Sequence, residues 1–372
     1  MKSQKNSMTQ KKHWYVGVGL LVALVAGAAA GIVASVIAAQ SLRDYAATLI
    51  VSHVPTVATD VAQRTSTSSV DDAARHVADV AALRVATITA ATLDARTSTS
   101  WITERDAVGY GVVVATDGWV LTTGDTVKSF TNVRTQADVW IEGVRYSVTQ
   151  IVEDEMTDFV LLRIDASGLT PTAFGASASV RDGSIVYATR GTHGVDVTTV
   201  ADSQAVSGVP VAAAELSTRY WELAQVTTVS EPVFSADGDV LAFTEGVMTL
   251  PVHTGEAFVH GVLRDGVATF AGFGAKVVDL SLPLNIDVTL SQGKREGALV
   301  MSFARPSPAQ TAGVLVGDVV TAVDDTRVDD VTALNELLRL YAPGDVATVT
   351  VLRGGASQRI DVVLGDYGSL VY

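Results

Sequence analysis

The sequence predicts a mostly β protein behind one N-terminal membrane-spanning helix, and three observations predict it. An uncharged apolar run over residues 14–39 follows Lys2, Lys5, Lys11 and Lys12. From Val85 onward, short β-branched runs alternate with turn residues, with hardly a helical period among them. Towards the C-terminus a second β pattern encloses a single helical stretch. At 372 residues the chain is long enough for an anchor and two modest domains. With 48% hydrophobic and 18% charged residues it can fill both cores.

The apolar run exceeds the roughly 20 residues that cross a bilayer as a helix. Lysines crowd its N-terminal side and only Arg43, beside Asp44, follows it closely, which places the N-terminus in the cytoplasm and the bulk outside. Trp14 and Tyr15 are placed at the interface. The small residues 27–31 offer either a close-packing face or plain lipid-facing filler. A cleaved signal peptide is the alternative, but its apolar core would be about 7–15 residues long. The formal charge of −14 argues against nucleic-acid binding, since phosphates would be repelled. With no cysteine there are no disulfides, thiolate metal sites or cysteine nucleophiles, and no metal or cofactor is expected.

Residues 1–40 therefore form a tail and transmembrane helix, and the Ser/Thr/Val/Ala-rich residues 41–68 a spacer. An amphipathic helix opens at Ser69, with Asp71 and Asp72 in its first turn and Val77, Val80 and Ala81 on one face. Strand signals follow at 85–90, 111–115, 119–123, 139–141, 143–148, 159–164, 184–189, 195–200 and 240–243, with turns at Asp117-Gly118 and Asp237-Gly238. Such a series indicates a sandwich or barrel over residues 69–266. Residues 267–372 read as a small barrel. It has strands at 297–303, 317–323, 347–353 and 359–364, and a helix carrying Val331, Leu334, Leu337, Leu338 and Tyr341.

Particular motifs carry a resemblance. Gly109-Tyr-Gly-Val-Val-Val followed by Asp117-Gly-Trp-Val-Leu-Thr-Thr resembles the opening hairpin of HtrA/DegP-type trypsin-like proteases. Thr157-Asp-Phe-Val-Leu-Leu-Arg-Ile is similar to the segment that carries their catalytic aspartate. Ser307-Pro-Ala-Gln-Thr-Ala-Gly-Val-Leu-Val-Gly-Asp-Val-Val is similar to the signature of their PDZ domain. The resemblance implies a chymotrypsin-like double β-barrel followed by a PDZ domain. In the family's register the histidine position is Asp125, the aspartate position Asp158 and, anchored on Pro232, the nucleophile position Val229. It also implies a peptide site built from Phe270, Ala271, Gly272 and Phe273, whose backbone N–H groups from 271 to 273 hold a C-terminal carboxylate. Leu334 and Leu338 line the pocket beside it, although core packing explains either leucine equally well.

The departures from the family pattern decide the functional expectation. Val229 has no hydroxyl, and an aspartate with a pKa near 4 is a poor base at neutral pH. The loop glycines that shape an oxyanion site are replaced by Thr227, Ser230 and Glu231. Losing the nucleophile or the base alone costs on the order of 10⁶ in turnover. If Asp125 and Asp158 are neighbours, one of them is expected to hold a raised pKa. The expectation is a non-catalytic, membrane-anchored, extracytoplasmic protein that binds C-termini or extended peptides through its PDZ domain, alone or as a homo- or hetero-oligomer. Two alternatives stay open: a divergent active serine endopeptidase, using Ser230 with His193 or His253 as base, and a structural envelope protein with a blocked groove. In the non-catalytic reading both histidines are surface loop residues.

Overall fold

The computed structural model describes residues 70–91, 104–154, 156–190, 194–206, 211–217, 219–225, 229–282 and 286–372. The apolar run, the spacer, His193 and Thr227 lie outside them. Among the described residues no helix is long and apolar enough to cross a membrane.

Helix α1 (Val70–Arg84) follows its pattern closely. Asp71 and Asp72 open it, Arg84 closes it, and Ala73, Val77, Val80 and Ala81 are buried along one stripe. Six strands then close a first barrel: β1 (Val85–Ala90), β2 (Ala107–Ala115), β3 (Trp119–Thr123), β4 (Ala137–Ile141), β5 (Val144–Glu153) and β6 (Phe159–Ile164). Their order around the barrel is β1-β2-β3-β6-β5-β4, all antiparallel. The β2–β3 turn needs Gly118 at φ +101°, where a Cβ would sit 2.3 Å from the Ile164 carbonyl oxygen. Two short helices decorate this barrel, α2 (Gly124–Lys128) and α3 (Val133–Gln136).

The second barrel contains β7 (Ile185–Arg190) and β8 (Gly194–Val206). The chain then leaves as β9 (Ala212–Ala213) and returns as β10 (Arg219–Leu223), β11 (Pro232–Phe234), β12 (Val240–Glu245) and β13 (Met248–Pro251). Its closed order is β10-β13-β12-β11-β7-β8. Helix α4 (Glu256–Asp265) follows, ended by Gly266 at φ +75°. Each barrel has its own core, but the largest apolar cluster lies between them. It joins Val77 of α1, Tyr110, Leu121 and Phe159 of the first barrel, Phe234, Phe243 and Leu250 of the second, and Phe258 of α4.

The C-terminal domain adds β14 (Ala271–Gly272), β15 (Ala275–Asp279), β16 (Ala298–Phe303), α5 (Pro308–Ala312), β17 (Val319–Val323), β18 (Thr326–Arg327), α6 (Leu334–Leu338), β19 (Val346–Arg353), β20 (Ala356–Val363) and β21 (Gly365–Asp366). Helix α5 is capped as its sequence dictates. The Ser307 hydroxyl accepts from the Gln310 N–H, Pro308 takes the first turn, and Gly313 closes the helix at φ +102°. The helix expected over 331–341 shortens to α6. The Asp329 carboxylate accepts from the N–H groups of Val331 and Thr332, each at 3.0 Å, and this side-chain turn competes with helix at the start. Sheet order is β20-β19-β17-β16-β15-β9, with β18 on β17. Its last strand is donated by the segment between β8 and β10, a pairing outside any local pattern.

Candidate functional site

Asp125 and Asp158 meet, and two further charged residues join them. Strand β3 ends at Thr123 and turns into α2, so Asp125 stands in the first helical turn and Lys128 one turn later. The turn is possible because residue 124 is glycine: a Cβ there would lie 2.2 Å from Asp158 Oδ1. The Gly124 N–H donates to the Asp158 carbonyl at 2.7 Å. Asp158 itself sits at φ +68°, a backbone conformation that few residues other than glycine tolerate and that Asp accepts more readily than most. Glu245 approaches from the end of β12, and carboxylate oxygens of Asp125, Asp158 and Glu245 lie within 4.8 Å of one another. The Lys128 ammonium donates to Asp158 Oδ2 at 2.7 Å and Asp125 Oδ1 at 3.3 Å.

Three carboxyls gathered around one ammonium cannot all be charged cheaply. Burial, reinforced by a hydrogen bond to Asp158 and by its charge, pushes Glu245 from the ordinary value near 4.5 up to about 9. Burial works against Asp158 too, but hydrogen bonds from Glu245 and Lys128 outweigh it and hold Asp158 below the usual range. The carboxyl with the raised pKa is therefore Glu245, outside the pair named from the sequence. Between about 4.5 and 9 the folded chain keeps a proton on Glu245 that the unfolded chain has released. That contribution is full below the lower value and drains as pH climbs to the upper one. Asp158 acts in a separate window, its contribution being lost only as pH falls through its depressed value. Glu245→Gln is expected to flatten the loss of stability between pH 6 and 9. The check is urea denaturation of both proteins across that range, and parallel pH profiles would refute the assignment.

A serine protease needs a hydroxyl, a base beside it and an acid behind the base. Val229, expected from the sequence at the nucleophile position, packs against the inter-barrel core, and its carbonyl accepts from the Thr244 hydroxyl at 2.9 Å. Ser230 is buried. Its hydroxyl oxygen accepts from Thr123 Oγ1 at 2.9 Å, and its carbonyl accepts from the Tyr110 N–H at 3.0 Å. His253 is not the surface loop residue expected. It sits in a short turn against the C-terminal domain, with Nδ1 2.8 Å from Ser177 Oγ and Nε2 3.7 Å from Glu336 Oε1. Ser177 is itself buried, so this hydroxyl is no exposed nucleophile.

The expected peptide site is brought together in part. Phe273, Leu334 and Leu338 are all buried in the C-terminal core. Leu334 also lines a cavity of about 20 Å³ beside Ala212, Ala213 and Ala214, and Leu338 a larger one of about 380 Å³ with Phe270 and Ala271. Phe270 turns away from the C-terminal core and stacks on Phe258 of α4 at 6.4 Å. Ala271 and Gly272 pair with β21. A carboxylate does meet backbone N–H groups here, but they belong to Phe273 and Gly274, and the carboxylate is that of Glu215.

Two six-stranded antiparallel barrels packed on a shared core, followed by a small β domain with two short helices, define a trypsin-like peptidase fold joined to a PDZ domain. Family profiles agree: a trypsin-like peptidase domain matches residues 109–243 and a PDZ domain residues 272–364. A probable periplasmic serine endoprotease, DegP-like, from Halomonas elongata is 24% identical over 283 residues, covering 71% of this chain and 57% of that protein. The DegP-like relative of Brucella suis is 26% identical over 279 residues, covering 69% and 52%. The chain thus spans little more than half the length of these relatives. Among solved structures, the HtrA-type protease AlgW with a decapeptide aligns at TM-score 0.53 and 18% identity, covering 78% of this chain and 98% of that one. This chain belongs to the HtrA/DegP-like family.

Proposed function

We propose that this protein is a non-catalytic HtrA-type scaffold, held at the outer face of a membrane by residues 14–39, whose PDZ domain binds extended peptides or protein C-termini. One observation carries the reading. Where a triad would need hydroxyl, imidazole and carboxylate, the chain has Val229, Asp125 and Asp158, and Lys128 and Glu245 tie the two aspartates into a closed ionic cluster. The proton that Glu245 keeps serves Asp158 and has no nucleophile to serve. The extracytoplasmic placement is supported by the lysines ahead of residues 14–39 and by the periplasmic relatives. Residues 69–266 and 267–372 are the proposed domains, and assembly with itself or an active relative belongs to the proposal by family likeness.

The competing reading, an active endopeptidase, rests on Ser230, and the hydrogen-bond partner of its hydroxyl among the described residues is Thr123. The full chain in detergent, incubated with an unfolded protein substrate and a serine-reactive fluorophosphonate probe, is expected to give neither cleavage nor labelling. Cleavage that disappears in Ser230→Ala would overturn the non-catalytic reading.

A further inference from the structure

The PDZ groove lies between β15 and α6, and the chain's own residues 211–216 fill it. Strand β9 pairs antiparallel with β15, Ala212 opposite Val277 and Ala213 opposite Lys276. The Ala214 N–H continues the ladder to the Ala275 carbonyl at 2.8 Å. At the next residue the backbone turns, and Glu215 sends its side chain into the loop before β15. There Oε1 accepts from the N–H groups of Phe273 at 2.6 Å and Gly274 at 3.0 Å. Its other oxygen accepts from the Tyr372 hydroxyl at 2.5 Å. Glu215 is 1% exposed. A carboxylate this deep is costly unless hydrogen bonds replace its water, and two backbone amides and a phenol do so. Ala214 completes the substitution by burying its methyl in the PDZ core.

An added antiparallel strand ending in a carboxylate held by successive backbone amides is the chemistry by which a sheet-edge groove takes a peptide's end. We propose that residues 211–216 are an internal ligand of the PDZ groove. Ala212, Ala213 and Ala214 stand for the last residues of a bound peptide, and the Glu215 side chain stands for its terminal carboxylate. An outside peptide enters only by expelling this strand. Because the strand is part of the connection from β8 to β10, its release also slackens that connection. Arg219 opens β10 three residues after Leu216, and its guanidinium reaches Asp279 of β15 at 2.8 Å. A tethered ligand competes at a high effective concentration, so an outside peptide binds weakly until the tether leaves.

The inference deepens the peptide-binding reading above, and its test separates the two. In the full chain in detergent, hydrogen exchange at the Phe273 and Gly274 amides is expected to be slow and to accelerate about tenfold or more in Glu215→Ala. Unchanged exchange overturns the proposal. The sequence contains no cysteine, so Ala213→Cys with Lys276→Cys provides a unique cross-strand pair at a spacing a disulfide can bridge. It is expected to oxidise readily, and failure to oxidise overturns the proposal even where Glu215→Ala fails to fold. The peptide arm uses labelled Val-Pro-Val-Ala-Ala-Ala with a free C-terminus. Glu215→Ala is expected to bind it about tenfold or more tighter than the parent, and the oxidised cysteine pair about tenfold or more weaker than its reduced form. If exchange and oxidation behave as expected while no form binds the peptide, the internal ligand stands and the peptide-binding function falls.

Discussion

Arg339→Met is expected to cost about 3–5 kcal/mol, the range for breaking a buried ion pair by removing one partner. The Arg339 side chain is 5% exposed and that of Asp154 0%. From just past α6 of the PDZ domain, the guanidinium donates to the Thr254 carbonyl, to Asp154 Oδ2 at 3.5 Å and to the Glu215 carbonyl at 3.5 Å. One cation thus holds the loop before β6, the turn before α4 and the strand in the PDZ groove. Methionine keeps most of the stem but leaves the Asp154 charge buried beside the Thr157 hydroxyl and the Met156 N–H alone. Urea unfolding followed by tryptophan fluorescence reads the effect, because Trp119, Trp140 and Trp221 are all barrel residues. A shifted barrel transition from a PDZ substitution demonstrates the coupling. Adding Asp154→Asn is expected to cost much less than its separate effect. Strict additivity, or a single-variant loss below about 1 kcal/mol, contradicts a shared buried network.

Phe159→Ala is expected to cost a similar amount, about 3–5 kcal/mol, and to loosen the ionic cluster as well. Phe159 is fully buried, meets Phe243 edge-on at 6.0 Å and lies so close to Gly255 that a Cβ there would sit 2.2 Å from its ring. Asp158 precedes Phe159 on the chain, and Glu245 lies two residues beyond Phe243. This aromatic pair therefore sets the approach of the two carboxyls across the inter-barrel seam. In Phe159→Ala the Glu245 carboxyl is expected to titrate well below about 9, as read by carbon NMR of the side chain. A Glu245 titration that stays put while stability falls would mean that Lys128 and α2 alone hold the cluster.

Much of the architecture is legible locally. The stripe Ala73, Val77, Val80, Ala81 specifies α1, and Ser307-Pro308 with Gly313 specifies both ends of α5. The close spacing of β-branched runs and Asp-Gly turns specifies two β domains, because strand periodicity and positive-φ turns are properties of neighbouring residues. The site is half legible. Asp125 and Asp158 can be located by motif register, and Lys128, three residues after Asp125 on a short helix, carries a local signal that was there to be used. Glu245 carries none. An acid between a strand and Gly246 reads as an ordinary solvated turn residue, and only the seam between the barrels makes it a half-buried partner of Asp158.

The sequence by itself determined the β-rich fold class, the order of the two β domains and which side chains, Val229, Asp125 and Asp158, stand at the positions that the family resemblance implies. Those are matters of side-chain type and short-range pattern. Tertiary structure alone decided where the spare proton sits and what fills the PDZ groove. Residues 212 and 213 meet 276 and 277 across more than sixty residues of chain. Ala-Ala-Ala-Glu has no period that marks it as a strand. Its β-structure is imposed by the free edge of β15, and the place of its glutamate by the Phe273 and Gly274 amides that donate to it. Long-range pairing of this kind follows from which edges and donors remain unpaired after the domains have formed, a property of the assembled sheet that no local window of sequence contains.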